Sequence, residues 1–262
     1  MNLQVFRKKS GEADPISMLT CYDYSSARVL RETPIEAFLV GDSLAMTVYG
    51  HPTTLPATVD MMARHAEAVR RGLGPDRALV VDLPFLAHRG SLDRVMESVR
   101  ELMVAGADAV KIEGIAGHDQ TLRHIIQSGV PVMGHLGLMP QSVHLHGGYR
   151  VQGKTAEAAR TLIEQARQVE DCGCFALVVE CVPTELAAQI TRELSIPVIG
   201  IGAGREVDGQ VLVMQDALGM NLDFAPRFVR RFANTEQLWH GAAQEFCDAV
   251  RQGRFPDDQE SF

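Results

Sequence analysis

The 262-residue chain has 33 acidic and 25 basic side chains, a formal net charge of -8 that argues against nucleic acid as its main partner. With 46% hydrophobic and 22% charged residues it is an ordinary globular sequence, long enough for one large domain or two small ones. No apolar run approaches the ~20 residues of a membrane span, and residues 1–7 lack the apolar core of a secretory signal, so a cytoplasmic protein with no membrane partner is expected.

Residues up to about Asp14 are polar and weakly patterned. A first strand is predicted over 16–23 with its helix over 25–32, then a second strand over 37–42. The turn-rich stretch 49–56 is a long loop of the kind that serves as a lid. Thr58 suits the cap of a helix over 59–71. A third strand, 78–82, precedes a helix capped by Ser91, whose Leu92, Val95, Met96, Val99, Leu102 and Met103 recur by threes and fours. The fourth strand, 109–114, leads to a helix over 118–127. The fifth, 131–135, leads to a second long loop, 138–154. Thr155 starts a helix with Leu162, Ile163, Ala166 and Val169 on one stripe. The sixth strand, 175–180, is followed by a helix over 183–194 with Pro183 in its first turn.

The seventh strand, 197–201, runs into Gly202-Ala203-Gly204. The apolar run 210–214 fits either a strand or a buried helix. Parallel neighbours need a crossover, usually a helix, so 208–219 is assigned as a helix and 227–232 as the eighth strand, with a last helix over 234–251. No linker or composition break divides the chain. The expected fold class is α/β: one domain, residues 1–262, forming a single (β/α)8 TIM barrel with its site at the C-terminal ends of the strands.

Those strand ends carry the chemistry. In Ala109-Val110-Lys111-Ile112-Glu113, alternation puts Lys111 and Glu113 on one face and Val110 and Ile112 on the other. A buried Lys or Glu is costly unless paired or metal-bound, so the charged face belongs to a site. Four apolar strands end in Asp42, Asp82, Glu113 and Glu180. Asp42, Asp82 and Glu113 offer hard oxygen ligands suited to Mg2+, and Lys111 can neutralise a substrate carboxylate or pair with a neighbouring acid. A metal beside a lysine suits a 2-oxo acid: the cation stabilises an enolate while a carboxylate outside its shell, Glu180, removes the adjacent C–H proton. Glu180 could instead be a structural acid bonded to a loop.

Other features point less sharply. Gly200 to Gly204 resembles a phosphate-binding turn, though close backbone approach at the barrel mouth explains it as well. His144 and His146 have no third ligand near in sequence and read as loop structure. Cys21, Cys172, Cys174, Cys181 and Cys247 lack regular spacing and read as reduced thiols, with a nucleophilic role left open for Cys181.

Several phrases, from Thr20-Cys21-Tyr22-Asp23 through Val40-Gly41-Asp42-Ser43, Val81-Asp82-Leu83-Pro84, Val110-Lys111-Ile112-Glu113-Gly114 and Gly134-His135-Leu136-Gly137-Leu138 to Glu180-Cys181-Val182-Pro183, resemble the ketopantoate hydroxymethyltransferase family. The match runs from about Met18 to Phe262 in the family's order. The resemblance implies transfer of a hydroxymethyl group from 5,10-methylenetetrahydrofolate to 3-methyl-2-oxobutanoate, giving 2-dehydropantoate in pantothenate biosynthesis. It implies Mg2+ at Asp42, Asp82 and Glu113, keto-acid contacts from Asp42, Ser43, Asp82 and Lys111, and Glu180 as proton acceptor. It also implies a large homo-oligomer, often a decamer. His135 and the loops at His51 and Tyr149 are candidates for the folate. Two departures stand out: Met139 replaces a usual Thr, and the N-terminal segment is short, without a clear extra helix. Rival readings are a Mg-enolate lyase of the phosphoenolpyruvate mutase kind and a catalytically silent barrel.

Overall fold

Eight parallel strands close a barrel in chain order in the computed structural model, which describes residues 2–7, 14–145, 147–222 and 226–262. The strands are β1 (Ile16–Thr20), β2 (Ala37–Val40), β3 (Ala78–Asp82), β4 (Ala109–Glu113), β5 (Val132–Gly137), β6 (Ala176–Glu180), β7 (Val198–Ile201) and β8 (Gly209–Leu212). The helices are α1 (Tyr24–Leu30), a short α2 (Leu44–Thr47), α3 (Val59–Leu73), α4 (Leu92–Val104), α5 (Asp119–Gln127), α6 (Ala156–Asp171), α7 (Thr184–Glu193), α8 (Met214–Ala217) and α9 (Thr235–Arg251). Thr58 and Thr155 cap α3 and α6 as expected, accepting from the backbone N–H groups of Met61 and Ala158 at 3.2 Å each. Ser91 occupies the N-cap of α4 without a side-chain bond, and Pro183 stands one place before the first turn of α7.

The barrel interior is layered by residue size. Ala37, Ala78, Ala109 and Ala176 lie low, Leu39, Val80, Met133 and Val178 join them in the apolar core, and charged residues stand above. The alanines leave room at the lower end, which Phe6 fills. Phe6 belongs to the 3-10 helix Asn2–Arg7, is 3% exposed, and meets Phe175 edge-to-face at 5.2 Å. The short N-terminal segment thus supplies a turn of helix that plugs the barrel floor.

The expected eighth strand is corrected. Residues 209–212 form β8, paired to β7 and β1, whereas residues 208–219 were assigned as a helix and 227–232 as the strand. Within 227–232 the described backbone is turn and coil. The crossover premise fails here for a geometric reason. A four-residue strand rises only ~13 Å, and the seven residues 202–208 can reach about 23–25 Å when extended, so no helix is needed to return. Gly202 and Gly204 turn the chain in left-handed conformations, φ 62° and 84°. Buried Asp208 then anchors the return, exchanging bonds with Val198 on both its carboxylate (2.8 Å) and backbone N–H (2.9 Å). A Cβ on Gly204 would stand 2.4 Å from Thr184, so this glycine turn serves close approach.

By contact the chain separates into Met1–Val213, which holds the whole barrel, and Met214–Phe262. In the second unit Phe232 and Arg231 bond back to Ala217 and Asn221, and Phe246 meets Phe255 at 5.5 Å. No residue of α9 is buried.

Candidate active site

Strand register carries the charges to one level. Asp82 lies beside Lys111 across β3–β4, and Glu113 beside His135 across β4–β5. Asp82, Lys111, Glu113, His135 and Glu180 all share the inward parity of the core residues below them. Asp42 reaches the same place differently. It lies two residues past β2, where Gly41 and the start of α2 turn the chain inward, and its N–H donates to Asp82 Oδ2 at 3.1 Å.

The expected residues therefore converge, and they are buried: Asp42, Asp82, Lys111 and Glu113 are each 3–5% exposed. Lys111 Nζ meets Asp82 Oδ1 at 3.0 Å. Burial opposes charge on Lys111, but Asp82, Glu113 and Asp42 outweigh it and raise its pKa, so it stays an ammonium. Glu180 is partly buried, its Oε2 3.3 Å from His135 Nε2. Ser43 Oγ shares a hydrogen bond of 2.8 Å with buried Tyr22.

Two further residues join the acids and Lys111: His135, which the sequence offered only as a folate candidate, and Gln141, which it did not offer. His135 stands between Glu113 (Nδ1 to Oε1, 3.4 Å) and Glu180, with Lys111 Nζ 3.2 Å from Nδ1. Burial and Lys111 depress its pKa, yet hydrogen bonding to the two glutamates lifts it to about 9. The two glutamates therefore favour the charged ring, which faces both acids, although its Nε2 makes no well-aligned hydrogen bond. Its signal was available, since His135 has the inward parity of β5. Gln141 had no such signal. It sits in a 3-10 turn after β5, donates its backbone N–H to Glu113 Oε2 (3.1 Å), and donates Nε2–H to Asp42 Oδ2 (2.8 Å) and Leu83 O (3.0 Å).

The balance of charge bears on a metal. Among the described residues, the cations facing Asp42, Asp82, Glu113 and Glu180 are Lys111 and His135. Burial, then repulsion from Asp82 and Glu113, raises the Asp42 pKa well above the carboxylate range. Burial also raises Asp82 against the pull of Lys111, whereas at Glu113 the nearby His135 and the positive charge of Lys111, with the Gln141 N–H, overcome burial and lower the pKa. Asp82 Oδ1 and Glu113 Oε1 face cations but accept no well-aligned hydrogen bond. A buried oxygen-rich pocket with surplus negative charge fits a hard divalent cation by donor chemistry. The acids are turned onto their protein partners, and among the described residues no three His, Cys, Asp or Glu side chains already enclose one point suited to an ion.

Of the remaining sequence candidates, Tyr149 lies near the cluster: burial, then the charges of Glu180, Asp42 and Glu113, raise its pKa. Burial and Glu180 push the Cys181 thiol up to about 12, which removes the basis for a nucleophile there. His146 lies outside the described residues. All five cysteines are free, and among the described residues no helix is long and apolar enough to cross a membrane.

A closed parallel barrel with acids, a lysine and a histidine gathered at the strands' carboxyl ends defines the class: a (β/α)8-barrel enzyme. Residues 1–258 match the family described as ketopantoate hydroxymethyltransferase. A Legionella pneumophila protein named 3-methyl-2-oxobutanoate hydroxymethyltransferase is 51% identical, the alignment covering 100% of each chain. A Bdellovibrio bacteriovorus protein of the same name is 49% identical, covering 98% of this chain and 97% of the other. The chain belongs to the ketopantoate hydroxymethyltransferase family, and is a transferase. A phosphoenolpyruvate phosphomutase structure from Streptomyces platensis subsp. rosaceus shares the fold, with TM-score 0.63 at 13% identity over 96% of this chain and 87% of that one.

Proposed function

We propose that the enzyme moves a hydroxymethyl group from 5,10-methylenetetrahydrofolate to 3-methyl-2-oxobutanoate, giving 2-dehydropantoate at the first committed step of pantothenate biosynthesis, with Mg2+ resident in the site. The observation that carries this reading is the convergence of four carboxylates on Lys111 and His135 at the barrel mouth. Asp42, Asp82 and Glu113 hold the cation, which supplies Lewis acidity at the keto oxygen when bound.

The chain's own residues do the rest. Lys111, held charged by its acids, meets the substrate carboxylate together with Ser43, whose hydroxyl Tyr22 orients. Glu180, nearer to solvent than the other acids, takes the C3 proton, and His135 fixes its carboxylate from one side. Overall, a C–C bond forms at C3, the two C–N bonds to the methylene carbon break, and water supplies the new hydroxyl oxygen. Free thiols suit a reducing cytoplasm. Homo-oligomerisation, up to a decamer, is supported by the exposed apolar Leu238, Trp239 and Phe246 on α9.

Proton exchange tests the reading. With Mg2+ in heavy water, the C3 hydrogen of 3-methyl-2-oxobutanoate is expected to exchange without folate, and Glu180→Gln to slow this by about 10²-fold or more. Undiminished exchange in the variant removes Glu180 from the base role. Product formation on adding 5,10-methylenetetrahydrofolate completes the test, and exchange without product refutes the folate step.

A further inference from the structure

The keto-acid reading uses Asp42, Ser43, Asp82, Lys111 and Glu180, and a transfer needs room for a second reactant. A cavity of about 340 Å³ adjoins the site and shares Glu113 and Gln141 with it. Its walls come from the loop after β3 and the turn after β5. Phe85, Leu86 and Met139 give it apolar surface, while His88, Arg89 and Gln141 give it polar groups. This volume falls at the lower end of small-ligand pockets, which combine apolar walls with a few placed polar groups.

Two features mark it as built for a ligand. The first is Leu86, which is held in the left-handed region at φ 60° while 55% exposed. A bulky apolar residue that is both strained and exposed is not there for packing. The loop fixes it, with Ala87 N–H donating to Pro84 O and Arg89 N–H to Leu86 O, each at 3.0 Å. The second is a set of buried polar atoms without partners. Gln141 Nε2 faces two acceptors, Asp42 Oδ2 and Leu83 O, which fixes its amide orientation and leaves Oε1 a bare acceptor. Arg89 Nε–H donates to His88 Nε2 at 3.0 Å, so the neutral His88 ring carries its proton on Nδ1, an unmatched donor on a residue 4% exposed. Arg89 is anchored in turn on Ala116 O at 2.8 Å and brings a cation to the wall.

We propose that this cavity seats the pterin ring of the one-carbon donor. Phe85, Leu86 and Met139 cover a flat ring, the His88 N–H and Gln141 C=O meet its mixed donor and acceptor edge, and Arg89 attracts the donor's anionic tail. This assignment rests on the folate-dependent reading above. It moves the donor away from the loops of His51 and Tyr149 and onto the Glu113 side of the keto acid.

The experiment is calorimetric titration of the full-length, Mg2+-loaded protein with 5-formyltetrahydrofolate, a reduced folate that cannot transfer its carbon here, beside steady-state kinetics. Phe85→Ala, Leu86→Gly and Arg89→Gln are each expected to raise the Kd for this probe, and the KM for 5,10-methylenetetrahydrofolate, at least tenfold, with a much smaller change in the keto-acid KM. Leu86→Gly relieves the left-handed strain, so a loss there cannot be blamed on a misfolded loop. No binding by the unaltered protein, or donor Kd and KM unchanged in all three variants, overturns the pocket. Loss of donor binding in His51→Ala or Tyr149→Phe instead moves the donor to those loops and also overturns it. A failed C3 exchange in the unaltered protein would refute the base chemistry, while the binding arm would still decide the pocket.

Discussion

Side chain by side chain, the site is a concentration of charge the fold alone would not choose, and two substitutions should move stability in opposite directions. A carboxyl whose pKa rises on folding destabilises the fold at every pH above its unfolded value, and Asp42 is such a group. Asp42→Asn keeps an acceptor for Gln141 and removes the charge. It is expected to stabilise the protein by about 0.5–2 kcal/mol in urea unfolding with a chelator present. Lys111→Met leaves buried Asp82 uncompensated and is expected to cost about 3–5 kcal/mol. Outside the cluster, burial drives His88 down to about 3, against ~6.5 in an unfolded chain. Between those values the unfolded chain binds a proton that the folded one does not, so stability falls as pH falls from 6.5 toward 3. The slope attributable to His88 is at most ~1.4 kcal/mol per pH unit. In unfolding curves across that window, His88→Gln should lose less stability with acid than the parent. Parallel curves would show that His88 is not the group responsible.

At the level of elements, alternation within a strand was the most informative signal in the sequence. It placed Lys111 and Glu113 on the inner face, and the same parity on β5 holds His135, which was read only as a folate candidate because one histidine in an apolar run carries no charge pattern. Asp42 was legible only as a strand-end acid, since a turn rather than the strand's parity aims it inward. Gln141 was not legible, because its bonds to Asp42 and Glu113 join residues 99 and 28 positions apart and no local pattern encodes them. The β7–β8 return misled for the opposite reason: a general rule about crossovers outweighed an apolar run that was itself the strand. Gly137 shows how tightly elements meet at the base. Its φ is 93°, and a Cβ there would stand 2.3 Å from the Glu180 carbonyl oxygen, which accepts from Leu138 N–H at 2.8 Å. Gly137→Ala should cost at least about 1–3 kcal/mol from strain alone. It should also slow C3 exchange by displacing the end of β6. Retained exchange with lowered stability would separate backbone strain from the placing of Glu180.

For the molecule as a whole, barrel closure brings residues from four strands and two loops to one point, and the floor plugged by Phe6 leaves the upper end free for chemistry. The apolar residues of α9 pose a separate question. Leu238, Trp239 and Phe246 are 56–68% exposed on a helix with no buried residue, more apolar surface than a lone chain usually leaves in water. Sedimentation velocity is expected to show species well above the 28.7 kDa chain, and Trp239→Glu to shift them toward smaller ones. A single 28.7 kDa species in the unaltered protein would end the oligomer reading. The central claim concerns the acids, and an anomalous-difference map from crystals soaked in Mn2+ and 3-methyl-2-oxobutanoate tests it most directly. The account predicts one strong peak contacted by Asp42, Asp82 and Glu113, with Lys111 on the substrate carboxylate and Glu180 facing C3. A peak held by other residues, or density for the keto acid away from these five side chains, would contradict it.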